Sequence, residues 1–117
     1  MKVGIVGSRR RNQVIDYLEI VKQFKKIYTP GDMIVSGGCP NGGDKFAEDI
    51  AKAYQIPITI YYAQWTKLGK IAGFSRNSDI AREADILIAC VAPDRTGGTE
   101  DTIKKYLQLG KKQLIVC

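Results

Sequence analysis

The feature that most constrains this chain is a regular alternation of short β-like runs with helix-like runs, kept from the first residues to the last. No repeat, low-complexity tract or linker interrupts it. That alternation is the mark of consecutive βαβ units and a parallel sheet. Residues Lys2 to Val6 read as the first strand, Met33 to Ser36 as a second, Ile56 to Tyr62 as a third and Gln113 to Cys117 as a fifth. The fourth, Asp85 to Val91, is almost continuously apolar, as expected of a strand covered on both faces.

Between these strands the apolar residues change to helical spacing. Asn12 is placed to cap a first helix whose stripe is Val14, Leu18, Val21, Phe24 and Tyr28, ending at Pro30-Gly31-Asp32. A second helix runs from about Asp44 to Tyr54 on Phe46, Ala47, Ile50, Ala51 and Ala53. Residues 63–73 read as irregular, and Ser75 or Ser78 can start a third helix that runs to about Ala84. Thr99 can cap the last helix and Gly110 can end it. The expected fold is therefore a three-layer, Rossmann-like open parallel sheet of about five strands with four helices, a single domain over residues 1–117. Right-handed crossovers are the rule for such units, and ligands bind beyond the carboxyl ends of the strands where strand order reverses.

That rule directs attention to the loops after strands one, two and four. The first holds Gly7-Ser8-Arg9-Arg10-Arg11: a glycine for a tight turn, a hydroxyl, and a guanidinium fork suited to phosphate or carboxylate. It lacks the spacing of the dinucleotide fingerprint. The second, Ser36-Gly37-Gly38 through Gly43-Asp44, has four glycines between residues 37 and 43, so backbone N–H groups can face an anion unshielded by a Cβ. It lacks the Lys-Ser/Thr ending of a P-loop. Asp44 can cap the helix that follows or accept hydrogen bonds from ribose hydroxyls. The third offers Gly97, Gly98 and Thr99 at a helix start, followed by Glu100 and Asp101, which suit the helix dipole but repel a phosphate. Arg76-Asn77, ahead of the third helix, adds a second phosphate fork. Trp65 is the only tryptophan and reads as core or as a base-stacking surface.

Composition removes several chemistries. There is no histidine, so His-based triads and His metal ligands are excluded, and no metal or cofactor is called for. Three cysteines, Cys39, Cys90 and Cys117, with no C-x-x-C pair, argue against a disulfide framework, and Cys90 reads as a small core residue. A reducing, cytoplasmic setting is expected. No apolar stretch is long enough to span a membrane, and the N-terminus lacks a signal-peptide shape. A formal net charge of +6 favours anionic partners without saying which.

Gly7-Ser8-Arg9, Ser36-Gly37-Gly38 with Gly43-Asp44, Arg76-Asn77 and Gly98-Thr99, in that order, resemble the motif pattern of the SLOG superfamily, and within it the small YspA-type proteins of the DUF2493 group. The resemblance covers nearly the whole chain. It implies a Rossmann-like pocket for a nucleotide-derived small molecule, formed by those residues, and pairing of copies into a homo-oligomer. Relatives in that superfamily include DNA-processing proteins that bind single-stranded DNA and the LOG phosphoribohydrolases, which cleave the base from nucleoside 5′-monophosphates. LOG enzymes carry P-G-G-x-G-T-x-x-E. Here the position of its glutamate is taken by Thr102, leaving Asp101 and Glu100 as the candidate acids.

Three functions compete on this reading. The first is a sensor or sequestering protein that binds a nucleotide-derived signalling molecule without chemistry. The second is a phosphoribohydrolase. The third is single-stranded nucleic-acid binding, ranked last because the basic residues look scattered and no aromatic-rich surface is visible.

Overall fold

The computed structural model describes residues 1–117, Lys70 by its backbone alone. Strands β1 (Lys2–Gly7), β2 (Met33–Gly37), β3 (Ile58–Tyr61), β4 (Ile86–Cys90) and β5 (Leu114–Val116) form one sheet in the order β3-β2-β1-β4-β5. Every pairing is parallel. Helices α1 (Val14–Ile27) and α2 (Gly43–Tyr54) join the first three strands. After β3 come a single-turn helix α3 (Trp65–Leu68), a 3-10 turn at Gly69–Ile71 and α4 (Ala72–Glu83); α5 (Gly98–Gln108) joins β4 to β5.

The two faces of β4 explain its unbroken apolar sequence. Successive side chains point to opposite faces of a strand. Ile86, Ile88 and Cys90 pack with Ile20, Val21 and Phe24 of α1 and Phe46, Ala47 and Ile50 of α2. Leu87 and Ala89 pack with Ile80 and Ala81 of α4 and Ile103 and Tyr106 of α5. A helical layer thus covers each face, giving the expected Rossmann-like three-layer fold, with five helices rather than four. No helix among the described residues is long and apolar enough to cross a membrane.

Three local expectations are corrected. Helix α1 is not capped by Asn12: Gln13 occupies the cap, and Asp16 accepts its backbone N–H at 3.1 Å. Asn12 instead accepts the Gly42 N–H at 2.7 Å, tying the loop after β1 to the loop after β2. The buried face of α1 is Asp16, Ile20, Val21 and Phe24, while Val14 and Leu18 lie on the solvent side, as does Ala53 of α2. Finally, α4 begins at Ala72 rather than at a serine cap, because the preceding 3-10 turn already carries Ile71 and Ala72 in right-handed helical geometry. Ser78 lies inside α4 and donates back to the Phe74 carbonyl.

Candidate functional site

Strand order reverses between β1 and β4, whose ends are paired at Gly7 and Cys90. The chain leaves β1 toward one face and β4 toward the other, so a crevice must open between the two loops. It does: a cavity of about 360 Å³ lies there, within the size range of small-ligand sites.

Gly7, Ser8 and Arg9 line it from the β1 loop, Asp44 from the first turn of α2, Arg76 and Asn77 from α4, and Gly97, Gly98 and Thr99 from the start of α5. Sequence reasoning missed four other lining residues, Val6, Ile80, Thr96 and Thr102, and ranked Arg10 and Cys39 too low to place them in the site. Ile80 and Thr102 follow from helical spacing, since they sit four residues after Arg76 and Gly98.

Ser36, Gly37, Gly38 and Gly43 were expected in the site and do not line the cavity. They build it instead. Gly43 opens α2 directly against β1: a Cβ there would sit 2.3 Å from the Gly7 nitrogen. A Cβ on Gly37 would lie 2.6 Å from both Arg76 Nη1 and Asp44 Oδ2, so that glycine leaves room for the guanidinium. Gly38 is covered by the Tyr62 ring. Ser36 is fully buried, its hydroxyl between the Ile5 carbonyl and Asp44 Oδ1.

Asp44 does not cap α2, whose cap residue is Gly42. Its Oδ1 accepts from Ser36 and its Oδ2 from the Cys39 N–H at 3.3 Å, which folds the glycine loop back on itself. Burial pushes the Asp44 carboxyl above its ordinary range, against the pull of Arg76, whose Nη1 stands 3.9 Å away. Arg76 is held by its Nε–H donating to Asn77 Oδ1 at 3.0 Å. Asn77 in turn donates to the Gly98 carbonyl and to Asp101. This buried asparagine therefore fixes the arginine fork against the start of α5.

The three consecutive arginines have three different environments. Arg10 grips Asp94 with both terminal nitrogens at 2.8 Å and also donates to Thr96, strapping the β1 loop to the β4 loop. That pair holds the Asp94 carboxyl well below the carboxylate range. Arg11 bonds Asp16 at 2.7 Å and the Val91 carbonyl at 2.8 Å. Arg9 alone forms no ion pair among the described residues and is exposed at the cavity rim. The run is mostly a set of structural anchors with one free cation.

Helix α5 presents its N-terminus without a side-chain cap. Gly97 has φ +110°, a conformation that favours glycine, and it brings Gly98 and Thr99 of the first turn to the crevice. The conflict posed by Glu100 and Asp101 is resolved by pairing. Glu100 is held bidentately by Arg95 at 2.8 and 2.9 Å, and Asp101 takes Lys105 at 2.7 Å together with Asn77. Neither lines the cavity. Among the described residues its only acidic lining residue is Asp44, against Arg9, Arg10 and Arg76. The arrangement offers amide donors, the Arg9 guanidinium at the rim, the Arg76 fork held between Asn77 and Asp44, and one buried carboxylate acceptor.

Trp65 is neither core nor part of the cavity. It is 57% exposed, and Tyr62 and Phe74 are exposed near it in sequence, so the chain does carry aromatic surface where none was expected. No family model, curated protein or solved structure matches the chain.

Proposed function

We propose that this protein binds a nucleotide or nucleotide-derived signalling molecule in the β1/β4 crevice, acting as a sensor or a sequestering protein without performing chemistry. One observation carries the reading. The uncapped N-terminus of α5, the Arg9 side chain and the Arg76 fork line one cavity of about 360 Å³. A helix N-terminus beside two guanidinium groups is an anion site, and phosphate is the anion that uses such donors best. Asp44 supplies the opposite character, an acceptor suited to ribose hydroxyls. The cavity volume matches a mononucleotide-sized group.

Pairing of Glu100 and Asp101 outside the cavity argues for binding over phosphoribohydrolysis, which needs a carboxylate aimed at the oxocarbenium-like centre. Membership of the SLOG superfamily is proposed with this reading. Its support is that all four motif segments meet at one rim of the sheet. A homo-oligomer in a reducing, cytoplasmic setting is part of the same proposal, and the exposed Val14, Ile15 and Leu18 row on α1 suits self-association.

Titration calorimetry against nucleoside monophosphates, cyclic nucleotides and ADP-ribose derivatives tests the reading. Saturable one-site binding of at least one of them is expected. Absence of binding to all of them at high micromolar concentration overturns it. The exposed Tyr62, Trp65 and Phe74 favour a second reading, single-stranded nucleic-acid binding, in which bases stack on these rings. That reading requires retention on single-stranded DNA that falls steeply with salt.

A further inference from the structure

Two of the three cysteines face each other across the sheet, far from each other in sequence. The Cys117 N–H donates to the Ala89 carbonyl at 2.9 Å, and the Val91 N–H donates to the Cys117 carbonyl at 3.0 Å. These bonds flank Cys90 on both sides, which makes Cys90 and Cys117 register partners that extend the Ala89–Val116 pairing of β4 and β5 by one step. Register partners on parallel strands project to the same face. Both side chains accordingly pack in the cluster beneath α1 and α2. The sheet register thus sets the two thiols side by side on one face of the sheet. Adjacent strands lie about 4.8 Å apart, inside the Cα–Cα window of about 4.4–6.8 Å that a disulfide accepts.

We propose that Cys90 and Cys117 form a reversible disulfide, a thiol–disulfide exchange site driven by a small disulfide oxidant of the glutathione type. Cys90 is fully buried and Cys117 is partly exposed, so access sets the order of events. The Cys117 thiolate attacks one sulfur of glutathione disulfide, and the first glutathione leaves as a thiolate. Cys90 then loses its proton and attacks the Cys117 sulfur of the mixed disulfide, expelling the second glutathione. Two protein thiols become one disulfide, one glutathione disulfide becomes two glutathiones, and the two protons released are taken up by the departing thiolates. The neighbouring Cys117 thiol and the Arg11 guanidinium lower the Cys90 thiol and favour the thiolate needed for the second step. The Cys90 neighbour and burial instead raise the Cys117 thiol, so the first attack is the slow step and access alone assigns it to Cys117. Arg11 also donates to the Cys117 carbonyl, and the Ser8 N–H donates to the Cys90 carbonyl at 2.9 Å. The pair therefore lies directly under the loop that carries Arg9. A link between neighbouring strands is geometrically tight, which suits a labile bond rather than a permanent staple.

The test uses the Cys39→Ser variant, which removes the third thiol and leaves the pair untouched. Folded protein is equilibrated with graded mixtures of glutathione disulfide and glutathione, trapped, and weighed intact. Loss of the mass of two hydrogens is expected, with a tryptic product joining residues 83–95 to residues 113–117, and dithiothreitol restoring both thiols. A Cys39→Ser/Cys117→Ser double variant is expected to stay unmodified at Cys90. Two free thiols at the most oxidising ratio overturn the proposal. So does a stable glutathione adduct on Cys117 that never resolves to the crosslink.

Discussion

Two glycine-to-alanine substitutions separate residues that build the crevice from residues that serve its ligand. In Gly43→Ala the new methyl would lie 2.3 to 2.6 Å from backbone atoms of Val6 and Gly7. Carbon contacts settle near 3.5–4.0 Å, so α2 must retreat from β1 by about 1 Å. Forced overpacking of this kind costs about 1–3 kcal/mol. The helix-propensity gain of alanine over glycine offsets at most about 1 kcal/mol of that. A net loss of about 1–2 kcal/mol corresponds to a melting temperature lower by roughly 4–8 °C for a domain of this size. In Gly98→Ala the nearest non-local atom to the new Cβ is Asn77 Nδ2, at 3.9 Å, and the backbone is not in the left-handed region. The fold should accept it, with stability unchanged or raised by up to about 1 kcal/mol. The methyl instead stands over the first amides of α5, where it keeps a phosphate oxygen out of hydrogen-bond reach. A loss of about 1.4 kcal/mol in binding is tenfold in affinity, and at least that is expected. Thermal melts and calorimetry on both variants provide the comparison. Undiminished ligand affinity in Gly98→Ala, or a melting temperature lowered as in Gly43→Ala, refutes the reasoning.

Arg76→Ala removes a charged donor from the cavity, and a loss of about 1.5–3 kcal/mol in binding is expected by calorimetry, with Arg76→Lys recovering only part of it. Asp44 has a carboxyl raised above 3.8 in the folded protein, so its protonated form is favoured there relative to the unfolded chain. Stability from this group is complete below about pH 3.8 and declines as pH rises through its folded value. Urea midpoints should therefore fall for the native protein relative to Asp44→Asn as pH is raised through that window; the opposite trend contradicts the assignment. Glu100→Gln should leave ligand affinity within about twofold, since that carboxylate is spent on Arg95 at the surface. The single tryptophan should be quenched readily by acrylamide in the folded state, in keeping with the exposure of Trp65.

The architecture was legible because both of its determinants are local. Short apolar runs such as Ile86 to Cys90 and glycine or proline breaks such as Pro30-Gly31 are written into short windows, and a parallel sheet follows from the alternation of strands with helices. Helix phase was less legible. In α1 the residues Val14, Ile15, Leu18, Ile20 and Val21 allow more than one apolar stripe, and only docking against β4 selects the face containing Ile20 and Val21. Within the site, the residues that touch the cavity and those that shape it share the same glycine motifs. The backbone contact at Gly43 and the space left beside Gly37 for Arg76 depend on segments far apart in sequence. The role of Asp101 was invisible for the same reason, since Asn77 approaches it from 24 residues away; that of Glu100 depends on a local turn, in which Arg95 adopts φ +56° and pairs with it.

The central claim is that backbone amides at the start of α5 receive a phosphate at the β1/β4 crevice. Amide chemical-shift mapping on labelled protein, titrated with the tightest ligand of the calorimetric panel, tests it most directly. The account predicts the largest shifts at Gly98 and Thr99, with smaller ones at Ser8 and Arg9. Shifts centred elsewhere, such as the groove of Phe24, Tyr28 and Tyr54 at the opposite end of the helices, would contradict it, as would a silent spectrum at saturating ligand.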